Sequence, residues 1–392
     1  MNRNVVGLFL AISLATFDSL VLPYTRLSIG DIAILIYTIY MGHSKNGYNL
    51  SLKLLFIYFP LLLCINAIVY FQYIIFENSV IQPSLMIFGF LRPLYFSLMA
   101  IKVYYGFKIR RLTLRDIYMA ISLASAFLTI VVILQYFGKW FPQFYNNPAF
   151  GETGRWAYFS EGWRPTGFTN EASFVGIFLV LMLALQLDLL KFSETEYVGL
   201  IYKAAPFVTV LGCVFTTSRI SLVMALILAI FRASKKYKIL IIVALIPIFM
   251  WSESELIPRL ANLLRYNGDP STIERYGSSL AYANAILSGK YFFGTGYLNG
   301  VEAASKYMDP AVREVLKDRN MPSFCLPLQA LLEFGVPLTI FVGFFAFKIL
   351  RKYFSTSVMA LCACSLVTGL QNFLFVFVFS SLMAYVHNSC HK

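Results

Sequence analysis

Long apolar runs alternate with polar breaks along the whole chain. Because a helix needs about 20 predominantly apolar residues to cross a bilayer, such runs predict membrane spans. They lie at 5–22, 27–42, 52–72, 84–101, 117–137, 172–190, 200–217, 219–231, 238–250 and 323–347. A last run, 356–387, is too long for one ordinary span and is interrupted by Gly369, Gln371 and Asn372, so it predicts one tilted helix or two short ones. The pattern indicates an all-α integral membrane protein, a polytopic bundle of 11–12 transmembrane helices in which residues 1–392 form a single membrane domain.

Two long segments between the spans, 138–171 and 251–322, are markedly more polar. The second contains the capping-box sequence Ser271-Thr-Ile-Glu274, which predicts a helix running to about Ser288, and a further helix start at Asp309-Pro310. We therefore expect a cap of amphipathic helices there. The first segment is aromatic, and its rings fit either a Trp/Tyr belt at the membrane interface or stacking on sugar faces. These rings are Trp140, Phe141, Phe144, Tyr145, Trp156, Tyr158, Phe159 and Trp163.

The composition agrees with a chain that is solvated mainly by lipid. Hydrophobic residues make up 59% and charged residues 13% of the sequence, whereas a soluble domain has about 25% charged residues. The run 5–22 has no small-residue cleavage site and further apolar runs follow it, so we interpret it as a span and not as a cleaved signal. The six cysteines lack metal-ligand spacing and are interpreted as buried small hydrophobic residues.

The net charge of +13 is concentrated in alternate breaks. The short breaks 2–4, 43–53, 102–116, 188–203, 232–238 and 348–353 together contain 17 Lys and Arg against four acidic residues, and the rest of the chain is balanced. By the positive-inside rule these breaks are cytoplasmic, which places the N-terminus inside and both long segments outside. The basic charge is therefore a signal of topology, and we expect no nucleic-acid partner.

Arginines stand at the predicted outer edges of the spans. Arg164 precedes one span, Arg219 follows another, and Arg92 lies within a span. A permanent charge at such a position is costly unless it snorkels, pairs with an acid or faces a polar cavity. Guanidinium offers a rigid fork of donors that matches phosphate, so arginines converging with Arg265 and Arg275 would suit a lipid-linked pyrophosphate.

Two carboxylates are candidates for proton transfer or binding. Glu171 stands where a span begins, and a desolvated carboxylate there would suit a general base, although the helix dipole alone also favours an acid at that place. Asn170 and Ser173 are predicted caps of the same helix, and Glu333 is a second candidate within a half-span. The long segments contain no histidine and no metal-ligand cluster, so we expect neither a metal nor another cofactor.

These motifs occur in an order that resembles the O-antigen polymerase (Wzy) and O-antigen ligase superfamily. They are Arg164-Pro-Thr-Gly-Phe-x-x-Glu171-Ala-Ser, Thr217-Ser-Arg219, Glu274-Arg275-Tyr276 followed by Phe293-Gly-Thr-Gly296, and Gln329-x-x-x-Glu333-Phe-Gly335. The similarity covers roughly residues 160–345, and the earlier spans match only in being spans.

The resemblance implies a metal-independent glycosyltransferase of the GT-C type in the bacterial inner membrane, with its active site in the periplasm. Its substrates would be undecaprenyl-pyrophosphate-linked oligosaccharides. Glu171, Arg219 and Arg164 would be catalytic, and the substrate-binding residues would be Arg275, Arg92, Arg265, Tyr276 and Glu333. Membrane lipids and a chain-length regulator protein are further expected partners.

The family includes enzymes of two kinds, and one feature favours a polymerase over a ligase. Ligases of the family carry a histidine in the outer segment before the late span, whereas residues 320–325 contain none. A ligase that transfers glycan to lipid A core remains an alternative. A lipid-linked oligosaccharide flippase is another, although the long outer segment and the lack of repeated halves are less typical of transporters.

Overall fold

A computed structural model describes residues 3–17, 28–42, 45–56, 60, 67, 83–138, 158–159, 162–163, 165, 167–169, 172–192, 199–232, 270–296, 299–315, 325–350, 355–367 and 374–390. Most of these residues are helical. The helices are α1 (Arg3–Ala15), α2 (Ile29–Met41), α3 (45–56), α4 (Pro83–Arg110), α5 (Leu114–Gly138), α6 (Ala172–Leu189), α7 (Leu200–Lys203), α8 (Ala205–Phe215), α9 (Arg219–Arg232), α10 (Pro270–Leu287), α11 (Gly300–Ser305), α12 (Pro310–Val315), α13 (Leu326–Phe334), α14 (Val336–Leu350), α15 (Thr356–Val367) and α16 (Leu374–Cys390). Strands β1 (Tyr158–Phe159) and β2 (Gly162–Trp163) pair antiparallel.

Most helices coincide with predicted apolar runs, and the differences have local causes. The run 323–347 forms two helices, because Gly335 has a φ of 84° and interrupts the helix between α13 and α14. The run 356–387 is described as α15 and α16, with 368–373 outside the described residues, and the predicted span 238–250 also lies outside them. The helix predicted from 52 is already formed at residue 45.

Both helices predicted in the second long segment are present in the structure. The start at Asp309-Pro310 is confirmed, since α12 begins at Pro310 and the Arg313 N–H donates to the Asp309 carbonyl at 2.9 Å. The helix predicted to follow Ser271 and to run to about Ser288 is present as α10, which runs from Pro270 to Leu287, whereas the side chains of 271–274 that would form the capping box lie outside the described residues. Proline suits a first helical position, where its missing N–H removes no helical hydrogen bond.

Helix α6 forms the centre of the bundle. Nearly all of its side chains from Val175 to Leu189 are buried, as expected for a helix that is apolar on every face. Helices α5, α8, α9, α15 and α16 pack against it, while α1 packs on α5 and α4 packs on α2 and α16. A smaller apolar cluster, built from α10 to α13, surrounds Tyr282 and Leu332.

A buried polar network joins three helices inside this apolar bundle. The Gln186 side-chain amide donates to the Ser125 hydroxyl at 2.8 Å, and its carbonyl accepts from the Thr209 hydroxyl at 3.0 Å. All three residues are fully buried or nearly so. Since a buried polar group is costly unless it is paired, these bonds hold α5, α6 and α8 at one mutual register.

The surface of the bundle is strongly apolar. Among the described residues, helix Leu114–Phe137 is long and apolar enough to cross a membrane, and several shorter apolar helices accompany it. Large apolar side chains also face outward, with Phe56 77%, Phe347 67% and Ile39 65% exposed. Exposed apolar surface of this extent marks an interaction with another apolar phase. These features indicate association with a membrane.

Helix α5 places the basic break 102–116 and the start of the 164–173 motif at opposite ends of the bundle. The α4–α5 turn, residues 108–115, is the most basic described segment, and we call its end of the bundle the basic end. The C-terminal helix α16 finishes at this end, because the Tyr385 hydroxyl donates to the Leu112 carbonyl at 2.8 Å and the Asn388 amide to the Tyr104 hydroxyl at 2.9 Å. Helix α5 runs from the basic end to the opposite end, where its last turns meet Gly167.

Candidate functional site

The first predicted motif, 164–173, is held tightly where it enters α6. Gln135 near the end of α5 bonds both backbone groups of Gly167, accepting from its N–H and donating to its carbonyl at 2.9 Å each. Gly167 has a φ of 60°, and a β-carbon there would lie 2.8 Å from a methyl group of Val175, so only glycine fits. The Phe168 ring stacks between Phe17 and Phe127, with centroid distances of 3.8 and 5.9 Å.

The second motif, 216–219, is a sharp reversal between α8 and α9. The Thr216 hydroxyl donates to the Cys213 carbonyl at 2.7 Å and accepts from the Ser218 N–H at 3.3 Å, which closes the turn. Thr217 has a φ of 53°. A β-branched residue rarely adopts this conformation, and such backbone strain clusters at functional sites.

The structure brings these two motifs together at the opposite end of the bundle. A β-carbon built on Gly176 would lie 2.5 Å from the Ser221 β-carbon and 3.4 Å from that of Ser218. The first turns of α6 and α9 are therefore in direct contact. Ala172 and Arg219 are the first residues of these helices, so segments more than 40 residues apart in sequence meet here.

Two buried hydroxyls at this contact have no hydrogen-bond partner among the described residues. Ser173 is 5% and Thr217 8% exposed, and neither side-chain oxygen is hydrogen-bonded to any residue that the structure describes. The expectation that Ser173 caps α6 is wrong, because it is the second residue of the helix and its hydroxyl makes no such bond. The first N–H groups of a helix also lack intrahelical acceptors and favour negative charge. Two helix N-termini with two unsatisfied hydroxyls form a place suited to an anionic or hydroxyl-bearing ligand.

The position of Arg219 is informative in itself. It opens α9, where the helix dipole disfavours a cation. Local helix stability therefore does not account for a positive charge here, whereas binding of an anion would. The structure describes its backbone and that of Arg92, which lies within α4, but not their side chains. Arg164, Glu171 and Arg265 lie outside the described residues.

The later motifs form a second cluster, in which the cap helices α10 to α12 meet α13 at the start of the predicted span 323–347. The loop after α10 pairs with the end of α13, since the Thr295 N–H donates to the Leu332 carbonyl and the Gly296 N–H to the Glu333 carbonyl, both at 2.9 Å. The backbones of Gly294 and Gly335 are in close contact, and a β-carbon on Gly335 would lie 2.4 Å from the Phe293 carbonyl carbon. Both glycines have positive φ, so the Phe-Gly-Thr-Gly and Glu-Phe-Gly sequences form one interlocked structure.

Glu333 is enclosed within this cluster. It is 1% exposed and accepts a hydrogen bond from the Gln329 amide at 2.9 Å. Gly300, the first residue of α11, leaves room for it, since a β-carbon there would lie 2.8 Å from Glu333 Cγ. A substrate-binding role for Glu333 stays a prediction, but its surroundings also assign it a place in holding the cap loops.

Arg275 and Tyr276 lie on the same cap, at the start of α10. Arg275 is half-buried and Tyr276 is 54% exposed. Seven residues, or about 10 Å of helical rise, separate Arg275 from Tyr282, the α10 side chain that lies beside Gly300. Helix α15 contacts α13 of the second cluster as well as α6 and α9, which connects the two clusters.

Several residues that build the site were missed in the sequence. Gln135 is a lone amide near the end of an apolar helix, and this was the available signal, because polar groups in such helices are costly without a partner. No comparable signal marked Gly176, whose role depends on a helix that is distant in sequence, and the motif that contains Thr217 gave no sign of its backbone conformation. Comparison with models of known protein families finds no match to the chain, and comparison with curated proteins finds none either.

Proposed function

We propose that this protein is a polytopic membrane glycosyltransferase that joins lipid-linked oligosaccharide repeats into a surface polysaccharide such as O-antigen, capsule or exopolysaccharide. Its donor is a saccharide chain on undecaprenyl pyrophosphate, and its site faces the periplasm. The observation that carries the proposal is the contact between the first turns of α6 and α9, which brings the start of α9 at Arg219 close to the start of α6, one residue after Glu171.

Membrane integration is supported by the exposed apolar faces of several helices. Helix α14 presents Ile340, Phe341, Val342 and Phe344, four large apolar residues within five positions, each more than half exposed. Such a helix is unstable in water and stable in lipid. The separation of a basic end from the end with the motifs supports the orientation expected from the positive-inside rule.

The proposed chemistry requires an acid and a group of anion-binding donors. A hydroxyl on the non-reducing sugar of one lipid-linked repeat attacks the anomeric carbon of the donor chain. The new glycosidic C–O bond forms as the bond to the pyrophosphate breaks, Glu171 takes the hydroxyl proton, and undecaprenyl pyrophosphate leaves with the bonding electrons. Arg219, Arg164 and the helix N-termini stabilise the charge that develops on the pyrophosphate.

The direct test is reaction of the purified protein with a defined undecaprenyl-pyrophosphate-linked repeat. We expect a ladder of products in which each step adds one repeat and releases undecaprenyl pyrophosphate. Transfer only to an added lipid A core acceptor would assign a ligase. Movement of the unchanged lipid across a vesicle membrane, with no new glycosidic bond, would assign a flippase.

The unsatisfied hydroxyls give a second prediction, in which stability and activity change in opposite directions. We expect Ser173→Ala and Thr217→Val each to stabilise the ligand-free protein by about 1 kcal/mol, because a buried hydroxyl without a partner costs about 1–3 kcal/mol. If these hydroxyls bind the pyrophosphate, the same variants raise KM for the lipid-linked repeat about tenfold, as expected for the loss of one hydrogen bond to a charged group.

Ser122→Ala is the matched control. Its hydroxyl is likewise buried without a partner, but it lies on α5 at a different level of the bundle. We expect a similar gain in melting temperature with unchanged KM. An unchanged KM in the Ser173 and Thr217 variants as well would mean that these hydroxyls do not contact the substrate.

A further inference from the structure

The basic end carries an exposed group of cations that the transfer chemistry does not use. Lys108, Arg110, Arg111 and Arg115 lie within eight residues of the α4–α5 turn, and all four are exposed. Lys45 belongs to the same surface, because Gly47 at the start of α3 packs against Tyr105, with a β-carbon there 3.2 Å from the tyrosine ring. We call these five residues the basic patch.

Carboxylates do not neutralise this patch in the described part of the chain. None of its five cations forms a salt bridge with a described residue. The salt bridge that the described residues do form joins Lys191 and Asp188, away from the patch. The nearest acid in sequence, Asp116, is engaged locally, since it accepts from the Thr113 N–H at 3.2 Å and from its hydroxyl at 2.9 Å. Relative to the described carboxylates, the patch therefore presents positive charge that is not paired.

Tyrosines hold the cationic side chains in place. The Lys108 ammonium lies 4.7 Å from the centre of the Tyr104 ring and 5.4 Å from that of Tyr105. The Arg110 guanidinium lies 4.7 Å from the Tyr40 ring and donates to the Tyr40 carbonyl at 2.6 Å. Cation–π contacts fix a positive group while leaving other N–H donors free to bind.

Exposed apolar side chains adjoin the cations. Ile109 is 44% exposed between Lys108 and Arg110, and Ile39 on α2 is 65% exposed next to Tyr40. A phosphate headgroup attached to acyl chains matches this combination, because it places a negative charge and a hydrocarbon surface next to each other. An acidic protein segment would match the charge but leave the aliphatic residues uncovered.

We propose that the basic patch binds the headgroup of an anionic phospholipid, with the acyl chains lying along the outer faces of α2 and α4. Basic clusters at the ends of membrane helices attract anionic lipid, and pockets between such helices hold the headgroups. The inference requires insertion into the membrane but is independent of glycosyl transfer.

The test compares lipid binding to the purified full-length protein in detergent. Phosphatidylglycerol or phosphatidylcholine is titrated in, and bound lipid is counted by native mass spectrometry. We expect phosphatidylglycerol to bind more tightly and this preference to weaken as salt is raised. In the double variant Lys108→Gln/Arg111→Gln its affinity should fall about 25-fold, since each basic residue near an anionic surface contributes a factor of about five.

The matched control is Lys290→Gln/Lys306→Gln, which removes the same charge from exposed positions of the second long segment. We expect it to leave the lipid affinity unchanged. Equal affinity for the two lipids, or an equal loss in the control variant, would overturn the proposal. Competition experiments in which polyglutamate displaces phosphatidylglycerol would instead assign the patch to an acidic protein and would also overturn it.

Discussion

Replacing Arg219 with alanine should lower the rate of chain extension at least 100-fold while the protein still inserts and folds. Removing one donor that stabilises developing charge in an enzyme site typically costs a factor of about 10²–10³. Folding should not suffer, because a cation at the first residue of α9 opposes the helix dipole. The measurement is the rate of repeat addition to a defined lipid-linked substrate, together with the melting temperature of the purified variant.

Two further variants serve as comparisons in this experiment, one that keeps the positive charge at position 219 and one that removes a charge elsewhere on α9. Arg219→Lys retains the charge but loses the planar fork of donors, so we expect an intermediate rate. Arg232→Gln removes a cation from the other end of the same helix and should extend chains at the normal rate. Normal extension by Arg219→Ala would exclude Arg219 from the site.

Glu171→Gln tests the proton-transfer half of the same mechanism. The amide has the shape of the carboxylate but cannot accept the hydroxyl proton, and general-base catalysis contributes a factor of about 10²–10⁴. We expect kcat to fall by that factor with little change in KM, since the binding groups remain. A raised KM with unchanged kcat would make Glu171 a binding residue.

Replacing Asp188 with alanine should destabilise the bundle by about 3 kcal/mol or more. This carboxylate at the end of α6 is 7% exposed and accepts from the N–H groups of Thr356 and Ser357, at 3.2 and 2.7 Å. It also accepts from the Ser357 hydroxyl at 2.8 Å and from Lys191 at 2.9 Å. It therefore caps the N-terminus of α15 from a different helix, and its loss would leave several buried donors unpaired.

The measurement is thermal or denaturant unfolding in detergent, with Asp116→Ala as the control. Asp116 completes the capping box at the start of α5, where its carboxylate accepts from the Thr113 N–H and hydroxyl, but it does so within its own turn and on the surface, so its loss should cost only about 1 kcal/mol. Asp188→Asn keeps the size of the side chain and one acceptor oxygen, and we expect an intermediate loss. Equal destabilisation by the Asp188 and Asp116 variants would contradict a special role for the link between α6 and α15.

Much of the fold was predictable because it depends on local pattern. The apolar runs predicted the positions of most helices, because the length and hydrophobicity of a segment can be read from residues that are adjacent in the sequence. The helix starts at Pro310 and next to Ser271 were predicted for the same reason, and α10 begins one residue before Ser271, at Pro270. Whether the C-terminus lies at the basic end was not predictable, and the bonds of Tyr385 and Asn388 place it there.

In the candidate site, too, some features were predictable from the sequence and others depend on the tertiary structure. Sequence alone determined which short motifs are unusual and that the positive charge is gathered in alternate breaks. Tertiary structure alone decided that the starts of α6 and α9 touch at Gly176, that Gln135 holds Gly167, and that Asp188 caps α15. The physical reason is that α6 is apolar on every face apart from Gln186 and Asp188 near its end, so its sequence gives little indication of which helices are its neighbours. Only the packing of small residues and the pairing of buried polar groups choose among them.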